Sequence, residues 1–275
     1  MIAGLSSPTY SGFIPDGQPL LWLLDRCVDY GLQALEAPLS INETDDPRTV
    51  RDKAADLGIT RIGYWSDDFV TPEGGETELL ERSRTAFDLA VAGGVETLVV
   101  FGRCGTHGRF TSQPPLAEQL PNIADNLGTI APVAAERSIQ LGLLPHLDYR
   151  AAEMVQVMNQ VDHPALRMAF DTANPFPVCE DPVAAADLVL PHAVAVAVKD
   201  VQIFPHRSND VTIWGTPIGK GSVDFETIFP MLRERLPDPE NTTVSIKLRL
   251  PSGDNSHDDW MRQSLEFLQA QNWLG

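Results

Sequence analysis

Side chains able to move protons or stabilise charge follow a series of short apolar runs in this chain. Glu36 follows Ala34-Leu35, and Arg103 and His107 follow Thr97-Leu98-Val99-Val100-Phe101. His146 and Asp148 come after the run Ile139 to Leu144. Asp171-Thr172-Ala173-Asn174 ends the run that starts at Leu166. Lys199-Asp200 ends the run from Ala193, and Lys247 and Arg249 end the run from Val244. Carboxylates, imidazoles and amines of this kind support general acid–base work if one pocket gathers them. The stretch Gly102 to Arg109 holds Arg103, His107 and Arg109. It is a locally basic loop that suits a carboxylate or phosphate, or else serves as a lid. Trp65 and Trp214 could stack on a sugar ring or simply cover a rim. His163, His192 and His257 fall at expected helix ends, where capping or solvation is the plainer role.

The runs that precede these residues are continuous rather than alternating, as in strands covered on both faces. They are Ile2 to Leu5, Ala34 to Ala37, Ile59 to Tyr64, Thr97 to Phe101, Ile139 to Leu144, Leu166 to Phe170, Ala193 to Val198 and Val244 to Leu248. Helical patterns lie between them. Leu20, Leu24 and Cys27 share a face, and Pro47 opens a helix that stops at Gly58. Leu79 to Val91 stops at Gly93-Gly94, and Leu116 to Ala135 carries Pro121 and Pro132 as expected boundaries or kinks. Met154 to Val161 follows. Asp181-Pro182 opens Val183 to Leu190, Asp224 opens Phe225 to Leu236, and His257 to Leu268 closes the set.

Eight strand–helix repeats predict an α/β fold, one (β/α)₈ TIM barrel spanning 1–275 as a single domain. An open doubly wound sheet is the alternative, but no Gly-x-Gly-x-x-Gly follows the first run. In a barrel the chemistry collects at the C-terminal ends of the strands, where the residues above stand. The longest connection without a clear helix runs from Val201 to Ser222, a length that is usually functional.

Composition narrows the partners. The chain has 275 residues and a formal net charge of −18, which argues against nonspecific nucleic-acid or anionic-membrane binding. With 43% hydrophobic and 21% charged residues it can bury a core. The cysteines, Cys27, Cys104 and Cys179, form no Cys-x-x-Cys pair, so reduced thiols are expected. No basic stretch followed by an apolar run opens the chain, and no run nears the ~20 residues of a membrane span. A cytoplasmic protein is expected.

Four segments occur in order: Gly142-Leu143-Leu144-Pro145-His146, Ala169-Phe170-Asp171-Thr172-Ala173-Asn174-Pro175, Val196-Ala197-Val198-Lys199-Asp200 and Gly219-Lys220-Gly221-Ser222-Val223-Asp224-Phe225. Together they resemble the xylose isomerase-like barrel superfamily of sugar isomerases, epimerases and relatives, over nearly the whole chain. In the sugar-active members a glutamate, an aspartate, a histidine and a glutamate on the last four strands hold a divalent metal. The resemblance places Leu144, Asp171, Ala197 and Lys247 at those four positions. Leucine and alanine have no lone pair to offer, and a protonated lysine repels a dication. No bound cofactor or metal is therefore expected. Lys247 instead returns a positive charge beside Asp171. It either forms a plain ion pair or, as an electrophile, polarises a carbonyl. If desolvated or set beside Lys199, it would have a lowered pKa and act as a base or form an imine.

The same resemblance puts His146 near the substrate and Asn174 at a sugar hydroxyl. The catalytic candidates are Lys247, Asp171, His146 and Lys199. The substrate-binding candidates are Glu36, Asn174, Arg103, His107, Trp65 and Arg249. The expected function is isomerase- or epimerase-like proton abstraction next to the carbonyl of a small sugar or polyhydroxy acid. The alternative is an inactive homologue that binds a sugar or serves as a non-catalytic subunit. The expected partner is a small sugar-like molecule, with homo- or hetero-oligomers left open.

Overall fold

The computed structural model describes residues 1–41, 44–102, 105–111, 113–205, 210–251 and 253–273. Eight parallel strands close a barrel: β1 (Ile2–Ser6), β2 (Ala34–Pro38), β3 (Thr60–Asp67), β4 (Val95–Gly102), β5 (Gln140–Leu143), β6 (Leu166–Asp171), β7 (Ala193–Val198) and β10 (Thr243–Ile246). Around the barrel they follow the order β1-β10-β7-β6-β5-β4-β3-β2. Eight α-helices alternate with them among the described residues: α1 (Pro19–Asp29), α2 (Pro47–Asp56), α3 (Gly75–Ala92), α4 (Leu116–Ala135), α5 (Ala151–Val161), α6 (Pro182–Val189), α7 (Phe225–Arg235) and α8 (His257–Ala270). This is the (β/α)₈ barrel that the repeats predict.

Helix starts follow from local chemistry. Asp46, Asp181 and Asp224 each accept a backbone amide of the first turn, from Thr49, Ala184 and Thr227 at 2.9–3.1 Å. One expectation fails inside α4, which runs through Pro121 and Pro132 without a break. Its buried face of Ile123, Leu127, Ile130 and Ala134 packs it onto the barrel and outweighs the missing amide bonds.

The Val201 to Ser222 connection holds an element that its sequence concealed. β8 (Asp200–Pro205) and β9 (Val211–Thr216) form an antiparallel hairpin with Val201 opposite Gly215 and Ile203 opposite Ile213. Its β-branched and aromatic residues favour strands, but the run is too short and broken to show periodicity. His206 and Arg207 of this connection lie outside the described residues.

Alternation along each strand separates two cores. Leu35, Leu98, Val100, Leu141, Leu143, Phe170, Val196, Val198 and Ile246 belong to the large core that includes the buried faces of the helices. Ile62, Val99, Leu144, Ala169 and Ala195 form a small cluster inside the barrel, capped by Tyr64 and Phe101. Residues of the second parity, continued past the strand ends, face the C-terminal mouth.

Candidate active site

Parity brings most of the candidate residues together. Asp171 follows Ala169 by two, Lys199 follows Ala197, and Lys247 follows Ser245. Asp171 is buried, and its Oδ1 accepts the amides of Ala173 (3.0 Å) and Asn174 (3.1 Å). Lys199 Nζ lies 3.2 Å from Oδ1, and Lys247 Nζ lies 3.4 Å from Oδ2. Lys199 Nζ also donates to Asn174 Oδ1. Side-chain exposure is 13% for Lys247, 10% for Lys199 and 0% for Asp171, so Lys247 is the most accessible member.

The strand ends are stitched beneath these groups. Thr172 Oγ1 donates to the Lys199 carbonyl (2.6 Å) and accepts the Lys199 amide (2.9 Å). The Lys247 amide donates to the Val198 carbonyl (2.9 Å), which extends the β10–β7 pairing by one residue. Thr9 joins the β1 connection to β10 by donating to the Ile246 carbonyl and accepting the Leu248 amide. Both lysines are therefore fixed at their backbones, as a site with defined geometry requires.

Electrostatics divides the two amines. Burial lowers the pKa of Lys199, and Lys247 lowers it further against the pull of Asp171. Burial also opposes charge on Lys247, but Asp171 and Glu36 outweigh it, and its pKa is raised. The sequence left a plain ion pair and an acidified amine both open for Lys247; here Asp171, then Glu36, raise its pKa, and the lowered one belongs to Lys199. Burial opposes ionisation of Asp171 too, yet the two lysines and the amides hold it ionised, with a lowered pKa.

Glu36 is buried in the middle of β2 and accepts a hydrogen bond from Ser6 Oγ at 3.0 Å. Tyr64, missed in the sequence, stands on the same inward parity and shares a 3.2 Å hydrogen bond with Ser7. It feels the charges of Glu36, Lys247 and Arg249. Counting by two from Ile62 would have found it. His146 stacks on Phe101 with ring centroids 4.8 Å apart. Burial, then Lys247 and Lys199, lower its pKa to about 3. A ring held neutral in this way offers one hydrogen-bond donor and one acceptor.

Asp200 has a different task. Its carboxylate accepts the amides of Val201, Gly219, Gly221 and Val223 at 2.8–3.2 Å. A Cβ on Gly221 would lie 2.2 Å from Asp200 Oδ1 and 2.4 Å from the Val201 carbonyl. The motif Val-Lys-Asp followed by Gly-x-Gly-x-Val-Asp-Phe is thus a clasp that holds the connection after β9 against the start of β8.

Other candidates fall elsewhere. Arg103 lies outside the described residues, as does Cys104. His107 Nε2 meets Asp68 Oδ2 (3.1 Å) and Thr71 Oγ1 (2.9 Å), and Arg109 pairs with Glu153. These two side chains of the expected anion-binding loop thus have partners within the protein. Trp65 takes the outward parity and packs edge-on against Phe69 and Phe87, facing α3 rather than the mouth. Trp214 is exposed on the hairpin beside Phe204. Arg249 is exposed, and its charge acts on Tyr64, His146 and Lys199. Among the described residues, no three His, Cys, Asp or Glu side chains gather as a metal ion needs. No described helix is long and apolar enough to cross a membrane.

Solved structures share this architecture. D-allulose 3-epimerase from Methylomonas sp., in complex with D-allulose, superposes with a TM-score of 0.76 at 16% identity, covering 98% of this chain and 96% of that one. The 3-keto-D-glucoside 4-epimerase YcjR of E. coli gives 0.71 at 18% identity, covering 98% and 99%. The IolI protein with a bound zinc atom gives 0.75 at 13% identity, covering all of both chains. At these identities the likeness is one of fold. In sequence, 154 residues are 26% identical to 3-oxo-isoapionate decarboxylase of Pectobacterium atrosepticum, covering 53% of this chain and 54% of that protein. The chain therefore spans about half the length of the curated relative it matches. Residues 24–271 fit the family model as a whole, and the chain belongs to the xylose isomerase-like TIM barrel family.

Proposed function

We propose that the protein is an enzyme acting on a small sugar or polyhydroxy acid, with a lysine ammonium in the place of a metal beside the substrate carbonyl. One observation carries the reading: Lys247 and Lys199 flank the two oxygens of Asp171 at 3.4 and 3.2 Å, at the mouth of the barrel. The donor set does not fit a divalent cation. A catalytic metal needs several fixed ligands, and Leu144, Ala197 and Lys247 supply none. The epimerases and the decarboxylase among the similar proteins support chemistry centred on a carbonyl.

In this reading the Lys247 ammonium donates to the carbonyl oxygen, where negative charge grows as a proton leaves the adjacent carbon. Lys199, the amine that burial acidifies, takes that proton. The carbon–hydrogen bonding pair becomes the enolate, and the proton returns to carbon as the carbonyl re-forms. Asp171 holds both amines in register. Asn174 and Glu36 bind substrate hydroxyls, and neutral His146 adds a hydrogen bond.

The test is exchange of carbon-bound hydrogen in deuterated water containing a chelator. Aldoses, ketoses, their phosphates and sugar acids are screened. Exchange that falls about a hundredfold in Lys247→Met and persists in Lys220→Met supports the reading. Lys220 is exposed in the connection after β9 and serves as the control. Exchange that needs added metal contradicts it. Sugar binding without any exchange assigns the protein a non-catalytic binding role.

A further inference from the structure

A cleft of about 490 Å³ opens between the β1–α1 and β10–α8 connections, lined by Thr9, Phe13, Arg249, Asp254 and His257 among others. Both connections leave the C-terminal ends of neighbouring strands, so the cleft adjoins the barrel mouth. Lys247 and Arg249 flank Leu248, which is fully buried in the large core. In extended backbone the residues on either side then share the opposite face.

Arg249 makes no ion pair and no side-chain hydrogen bond among the described residues. Its charge is nonetheless felt at Tyr64, His146 and Lys199. Lys247 pairs with Asp171 and Glu36 accepts from Ser6, so Arg249 is the charged group of this set that is left without a protein partner among the described residues. An unpaired guanidinium at the mouth, in a chain with net charge −18, suits an anion.

Two features inside the cleft point the same way. His257 is 4% exposed, and its Nδ1 has no hydrogen-bond partner. It also begins α8, whose first turn receives no side-chain cap from Ser256. A helix start of this kind favours negative charge. The nearby acids are already engaged. Asp254 accepts from Ser256, and Asp258 accepts from Tyr10 and Tyr30. Asp254 still lines the cleft, which favours a singly charged carboxylate over a doubly charged phosphate.

We propose that this cleft is a carboxylate subsite, in which Arg249 holds the acid group of a polyhydroxy-acid substrate whose carbonyl end lies at Lys247. The inference rests on the proposed function and narrows its substrate class from sugars to sugar acids. A guanidinium fork matches a carboxylate in two hydrogen bonds, and the subsite would set specificity without touching the reacting carbon.

The test is a binding measurement, independent of turnover. Erythronate, xylonate and gluconate are titrated calorimetrically beside erythrose, xylose and glucose, with xylose 5-phosphate as a further arm. At least one aldonate should bind about tenfold or more tightly than its aldose. Arg249→Gln should remove that preference, and Lys220→Met should preserve it. Equal binding of acids and neutral sugars overturns the proposal, as does a preference that survives Arg249→Gln. Tighter binding of the phosphate ester than of every aldonate also overturns it. If the acids bind through Arg249 but keto acids such as 2- and 5-ketogluconate bind and exchange no hydrogen, the subsite stands and the proposed chemistry falls.

Discussion

Lys247 meets Asp171 across the barrel mouth at 3.4 Å, on the carboxylate oxygen that Lys199 does not take. Two buried ammonium groups thus depend on one carboxylate, with Glu36 as further support for Lys247. Removing one partner from a buried charge cluster leaves the others uncompensated, at about 3–5 kcal/mol. Asp171→Ala should lower the unfolding free energy by that amount, read as a lower denaturation midpoint with the slope unchanged. Adding Lys247→Met should recover part of the loss. Strict additivity of the two substitutions would show that the groups do not interact.

His146 and Asp148 give the stability opposite dependences on pH. His146 titrates at about 3 in the fold, against an ordinary 6.5, so the unfolded chain gains its proton first. Its contribution to stability therefore falls as pH drops from about 6.5 toward 3. Asp148 is raised from 3.8 to about 6, chiefly by burial. Its contribution is full below about pH 4 and is lost as pH rises through 6. Asp148→Asn should stabilise the protein by about 2 kcal/mol at neutral pH and by nothing near pH 3. His146→Asn should flatten the acid limb between about pH 6.5 and 4. Denaturation midpoints measured across pH check both, and parallel curves for wild type and variants would refute them.

The clasp at Asp200 makes Gly221 sensitive to a single methyl group. With a Cβ only 2.2 Å from Asp200 Oδ1, Gly221→Ala must push the carboxylate off its four amides. A loss of about 1–3 kcal/mol is expected. Gly253→Ala is not a fair comparison, since that residue has φ of +82°. Gly128→Ala, with nothing near its Cβ, is the matched control and should be neutral or mildly stabilising.

Trp65 supports the packing of α3 through its contacts with Phe69 and Phe87. Trp65→Ala should cost about 2 kcal/mol by emptying the space beside Phe69 and Phe87. Ligand affinity, measured where the variant is fully folded, should not change. Weaker binding at intact folding would return Trp65 to the mouth.

Strand identities were legible because each barrel strand is a continuous apolar run, and helix starts because aspartate caps announce them. The site was legible where a strand's parity could be carried past its end, as from Ala169 to Asp171. The same counting excludes Trp65 and admits Tyr64, so the failure there came from reading residue types without their parity. The pKa order of Lys199 and Lys247 could not be read, since it turns on Glu36, far away in sequence and brought close only by closure of the barrel. The β8–β9 hairpin escaped notice because its pairing depends on cross-strand partners such as Ile203 and Ile213, not on a periodic run. The partners of Asp200 could not be read from the sequence, because its four amides come from its immediate neighbour and from a loop that only the fold brings near.

Elemental analysis of the purified protein tests the central claim, that a lysine occupies the place of a metal. Wild type and Asp171→Ala are dialysed against manganese, magnesium, cobalt and zinc in turn, then desalted and measured. The account predicts far less than one metal per chain in both proteins. One tightly held metal per wild-type chain, lost in Asp171→Ala, would contradict it.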